Sequence, residues 1–66
     1  MDQETRNAVE DMQYVLMMNL GKIKHKEARK GVEASYAERA RKFGFTGTDA
    51  EVIRKVVRWD GKGEPA

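Results

Sequence analysis

The segment Thr48–Trp59, TDAEVIRKVVRW, constrains the fold more than any other part of the chain. Thr48 and Glu51 are spaced as in the S/T-x-x-E capping box, in which each side chain bonds the backbone N–H of the other residue. After them Val52, Ile53, Val56, Val57 and Trp59 recur at three- and four-residue intervals, the period of a helix with one apolar stripe. The β-branched residues in this stretch would also suit a strand, but the apolar positions do not alternate and the cap signal belongs to a helix. The segment therefore predicts a C-terminal helix that buries one face and turns Arg54, Lys55 and Arg58 to the other side.

That apolar stripe has to be covered by the rest of a 66-residue chain. A chain of this size buries only about 60% of the surface its unfolded form exposes. Its single core seldom contributes more than roughly 3–5 kcal/mol without a staple. There is no cysteine to form a disulfide, and one histidine without a thiolate makes no zinc cage. Packing or self-association is left to stabilise the fold. The longest uncharged run, between Asp11 and Lys22, falls far short of the roughly 20 apolar residues of a membrane span. Acids, not a basic region, precede that run, so no secretory signal is read; the chain is expected to be soluble and cytoplasmic.

Two further helices are expected upstream. The first runs from about Gln3 to Leu20, with Asp2 as its N-cap and Glu4 at the positive end of its dipole. Val9, Met12, Val15, Leu16, Leu20 and Ile23 form its apolar stripe, and Tyr14, Met17 and Met18 widen it. A face this broad serves either as core or as contact with a second copy or partner, so Met12, Tyr14, Met17 and Met18 are the candidate interface residues. The second helix starts near Glu27 or Gly31 and runs to Phe43, packing through Val32, Tyr36, Ala40 and Phe43. Sequence alone leaves open whether helices one and two are continuous through Gly21 and Gly31.

Gly44 suits the left-handed position after that helix, and Phe45 is expected to fold back on it. Asp60-Gly61 ends the third helix. The expected architecture is all-α: a small bundle of about three helices, the last two joined by a glycine-containing, helix-turn-helix-like turn, and oligomeric. Residues 1–60 form the domain and 61–66 a disordered C-terminal tail.

Charge is distributed unevenly beneath a net +2. Residues 1–20 hold four acids against Arg6, a balance of −3, and residues 21–44 hold eight cations against three acids, a balance of +5. Residues 45–66 balance at four of each. A basic block of this kind is either a solvated helix face or a surface that steers a polyanion. Catalysis has little to draw on. His25 lies among lysines, Ser35 is the only serine, and Glu10 and Asp11 diverge on a helix, so they are no proton-sharing dyad. The glycines around Lys22 and Thr48 lack P-loop spacing. No enzyme, cofactor or metal is expected.

The candidate nucleic-acid contacts are Lys22, Lys24, Lys26, Arg29, Lys30, Arg39, Arg41 and Lys42, joined by Arg54, Lys55 and Arg58 on the third helix. Phosphate contacts from such residues dominate affinity and carry no sequence information. The third helix has no asparagine or glutamine to read adenine, so backbone or shape recognition is expected over base readout. The competing reading is a small helical protein-binding module or inhibitor that docks through its Met/Val/Tyr/Leu face and basic patch.

Three stretches, Val32-Glu33-Ala34-Ser35-Tyr36-Ala37-Glu38, Gly44-Phe45 and Val52-Ile53-Arg54-Lys55-Val56-Val57-Arg58, together resemble the GapR-like DNA-binding domain. That family consists of small, helical, oligomeric nucleoid-associated proteins. The resemblance covers roughly the second half of the chain. It implies clamping of the DNA backbone by lysines and arginines inside an oligomer, from Lys22–Lys42 and Arg54–Arg58. Glycines interrupt this chain where the family has a long continuous helix.

Overall fold

The computed structural model describes residues 2–63, and within them three α-helices start at distinct kinds of cap. Helix α1 spans Gln3–Asn19, opened by Asp2, whose Oδ1 accepts the Thr5 N–H at 2.7 Å. That bond satisfies one of the free N–H groups of the first turn, and it holds the Asp2 carboxyl below its usual pKa. A single 3₁₀ turn, Leu20–Lys22, and an extended Ile23 (φ −83°, ψ 113°) then end the helical run. Helices one and two are thus separate, and the break falls at Ile23, Lys24 and His25.

Helix α2 spans Lys26–Arg41 and passes through Gly31 without interruption. Gly21 lies inside the 3₁₀ turn and Gly31 inside α2, so neither glycine is the break; Lys26–Lys30 are good helix formers that outweigh the cost of about 1 kcal/mol for Gly31. His25 stands at the N-cap position, and its side chain makes no capping bond. The helix stops at Arg41, two residues before the expected Phe43, which lies half-buried in the following turn. The stop has a Schellman pattern: Gly44 N–H donates to Arg41 O at 3.1 Å and Phe45 N–H to Ala40 O at 3.3 Å. Gly44 takes the left-handed φ of 108° that this closure requires.

Helix α3 spans Asp49–Arg58 and has the capping box the sequence predicts. Glu51 N–H donates to Thr48 Oγ1 at 3.2 Å, and Thr48 N–H donates to Glu51 Oε1 at 3.3 Å. Thr48's side-chain and backbone hydrogen bonds hold the Glu51 carboxyl below its usual value.

The core combines Val9, Met12 and Leu16 of α1, Ala37 and Ala40 of α2, Phe45 of the connector, and Val52, Ile53, Val56 and Trp59 from α3 and its end. Leu20, Tyr36, Phe43 and Val57 pack around its edge. Helix α3 contacts both other helices, whereas direct contact between α1 and α2 is sparse. The shortest helix is therefore the keystone: its stripe divides between two neighbours, and the alanines of α2 let that helix come close. Val15, expected in the packed stripe, is only half-buried and does not join the core. No strand occurs among the described residues, and no helix there is long and apolar enough to cross a membrane.

Gly61–Gly63, placed in the tail by sequence, are hydrogen-bonded to the body. Trp59 Nε1 donates to Gly63 O at 2.8 Å, and Asp60 Oδ1 accepts from Lys62 N–H and Gly63 N–H. These two bonds lower the Asp60 pKa. Arg6 reaches across from α1 to Gly61 O and Lys62 O. The rest of the expected tail, 64–66, lies outside the described residues.

Candidate nucleic-acid interface

Along α2 the buried Ala37 and Ala40 follow three-residue spacing, and the same row continues backwards through half-buried Glu33 to Lys30, Arg29 and Lys26. The first two turns of the helix overhang the bundle, so this row changes from packed and small to exposed and basic. Lys22 and Lys24, in the link before the helix, are exposed beside it. These five side chains form no ion pair with any described residue. They surround a helix start that no side chain caps, Lys22 and Lys24 before it and Lys26, Arg29 and Lys30 in its first two turns, where free backbone N–H groups add positive potential.

The remaining cations of the block differ in setting. Arg41 donates to Asp49 Oδ1 at 2.7 Å and to Gly47 O at 3.0 Å, tying α2 to the start of α3. Arg39 lies 5.0 Å over the Tyr36 ring, a cation–π distance. Lys42 is exposed on the side of α2 away from Lys26. On α3, Arg54 and Arg58 are exposed one turn apart, but Lys55 is half-buried and its Nζ donates to Thr46 O at 2.7 Å. The expected exposed triad is therefore a pair, because Lys55 braces the connector. No hydrogen bond joins Arg54 or Arg58 to the α2 group.

The candidate interface residues also separate. Met12 is 7% exposed and belongs to the core, while Tyr14, Met17 and Met18 are 67%, 63% and 47% exposed. Between α1 and α2 an open groove of about 310 Å³ is lined by Ala8, Asp11, Met12, Val15, Tyr36 and Arg39. It exists because α3 fills only one side of the angle between the two helices.

Two side chains matter that the sequence reading passed over. Arg6 is one; the other is Gln13, whose Nε2 donates to the carbonyls of Val56, Val57 and Trp59 at 3.2, 3.0 and 2.8 Å. Three carbonyls around one nitrogen fix the orientation of the amide, since only the NH₂ end can donate. Gln13 thus caps the C-terminus of α3 from another helix. The available signal was a polar residue beside the stripe formed by Val9, Met12 and Leu16. Among the described residues no three metal-ligating side chains gather at one place. In comparisons with protein-family models, curated proteins and solved structures, nothing matches this chain.

Proposed function

We propose that the chain binds nucleic acid through its phosphate backbone, with the overhanging start of α2 as the main contact surface and little base-specific readout. The observation that carries this reading is the exposed row Lys26, Arg29 and Lys30, flanked by Lys22 and Lys24, with no carboxylate paired to any of them. Unpaired ammonium and guanidinium groups on a rigid helix are pre-ordered for phosphates, and each contact releases counterions. The α2–Gly44–α3 pair acts as a helix-turn-helix variant in this reading, Arg54 and Arg58 adding contacts from α3. The GapR-like resemblance agrees with backbone clamping by an oligomeric cytoplasmic protein.

The test is fluorescence anisotropy with a random-sequence duplex over a salt series. Log affinity should fall linearly with log salt, at about −0.9 per phosphate neutralised, or roughly −4 to −5 for the five contacts at the start of α2 and about −6 with Arg54 and Arg58. Replacing Lys26, Arg29 and Lys30 together by alanine should reduce the slope by nearly three such units, equally on every sequence. Absence of duplex binding at low salt, or a triple variant that binds like the parent, refutes the proposal.

The second reading, docking on another protein, is favoured by the exposed Tyr14, Met17 and Met18, which are large apolar side chains that a solvated helix does not need. It predicts an affinity carried by apolar contact and only weakly dependent on salt.

A further inference from the structure

The groove between α1 and α2 has walls of opposite charge. Asp11 stands on the α1 side and Arg39 on the α2 side, with Met12, Val15 and Tyr36 between them. Asp11 and Arg39 are both exposed and form no ion pair with each other. The apolar floor continues onto the rim of α1, since Met18 follows Val15 by three residues and Tyr14 by four, making one exposed strip. Met17 lies about 160° around the helix from Val15 and is not part of it.

We infer that this groove is a self-complementary interface and that its occupant is a second copy of the chain. Two facing arrangements satisfy twofold symmetry. An axis running across the groove sets α1 against α1, bringing the acids Glu4 and Asp11 of the groove-facing side towards their own copies. An axis running along the groove sets α1 against the other copy's α2, so that Asp11 faces Arg39 of the partner subunit at both ends of the symmetric contact. The second arrangement sets each Asp11 carboxylate opposite an Arg39 guanidinium and covers Val15, Met18 and Tyr14. Electrostatics selects it, because like charges placed face to face disfavour the first. The inference stands apart from nucleic-acid binding and is tested without nucleic acid.

Sedimentation equilibrium of the whole chain from micromolar to millimolar concentration should show the mass rising from 7.5 kDa towards twice that value. Asp11→Arg and Arg39→Asp should each weaken self-association by at least about tenfold, since each places like charges opposite one another. Both residues are exposed, so circular dichroism and melting should show folded variants. An equimolar mixture of the two single variants should recover the dimer, because every facing pair is again opposite in sign, and so should the double variant. A parent chain that stays at 7.5 kDa throughout overturns the interface. Single variants that associate as the parent does, or a mixture that stays monomeric, overturn the pairing of α1 with α2.

Discussion

Replacing Gln13 by glutamate changes one group of nearly the same shape and reverses its role. In the parent, the Gln13 amide gives its two hydrogens to three carbonyls at the end of α3, those of Val56, Val57 and Trp59. Each net hydrogen bond is worth about 0.5–1.5 kcal/mol, so Gln13→Ala should cost roughly 1–3 kcal/mol. Against a total of about 3–5 kcal/mol for a single core of this size, that is a large fraction. Gln13→Glu should cost more than alanine at neutral pH, since a carboxylate would face three carbonyl oxygens at the negative end of the helix dipole. The charged form is disfavoured in the folded state, so the glutamate's folded pKa is raised above its unfolded value. Its penalty is absent below the unfolded pKa of about 4.3 and grows as pH rises through the folded one. Urea unfolding followed by the fluorescence of the one tryptophan, buried Trp59, measures this directly. The expected order at pH 7 is parent, then Gln13→Ala, then Gln13→Glu, with the gap between the two variants closing as pH falls towards 4. If Gln13→Glu is as stable as Gln13→Ala at pH 7, the amide does not act as a donor to those carbonyls and the cross-helix cap is refuted.

Gly31→Ala should raise stability by about 0.5–1 kcal/mol, because Gly31 is inside α2 and a Cβ there would meet nothing within 4 Å; thermal melts should shift up by several degrees. Gly47→Ala should have the opposite effect, costing on the order of 1–3 kcal/mol in the same assay, since Gly47 has φ +123° and its Cβ would lie 3.1 Å from Glu51 Cβ, disturbing the capping box. Acid should weaken the fold through Glu51, Asp2 and Asp60, whose pKa values lie below the usual 4.5, 3.8 and 3.8. Their contributions are present above those unfolded values and are lost as pH falls through the lower folded ones. Glu51→Gln keeps a side chain able to accept the Thr48 N–H but cannot titrate, so its urea midpoint should vary less with pH; an unchanged profile would remove Glu51 from the acid response.

Local signals of high specificity were read correctly from the sequence. The capping box at Thr48 and Glu51, the Asp2 cap and the turn at Gly44 each rest on contacts within a few residues, so neighbours in sequence suffice to identify them. Signals that depend on distant atoms were read less well. Met12 and Tyr14 look alike on a stripe two residues apart, yet one is core and the other 67% exposed, because only the position of α3 determines which part of a broad face is covered. Lys55 has the sequence setting of Arg54, and nothing local shows that its ammonium reaches Thr46 O. Ala37 is fully buried although its small side chain contributes little to an apolar pattern.

The sequence by itself determined the helical class and the caps of α1 and α3, because period and capping contacts act within one turn of the backbone, but not where α1 gives way to α2. It also determined the charge of each segment, acidic first and basic second. Only the tertiary structure decided that α3 lies between α1 and α2, that Gln13 closes its far end, and that α1 and α2 leave a groove open on the other side. The physical reason is the range of the interactions. Caps and periodicity are paid in local bonds, while burial and cross-helix bonds depend on which of several similar apolar faces meet, and that choice is made only when the helices pack together.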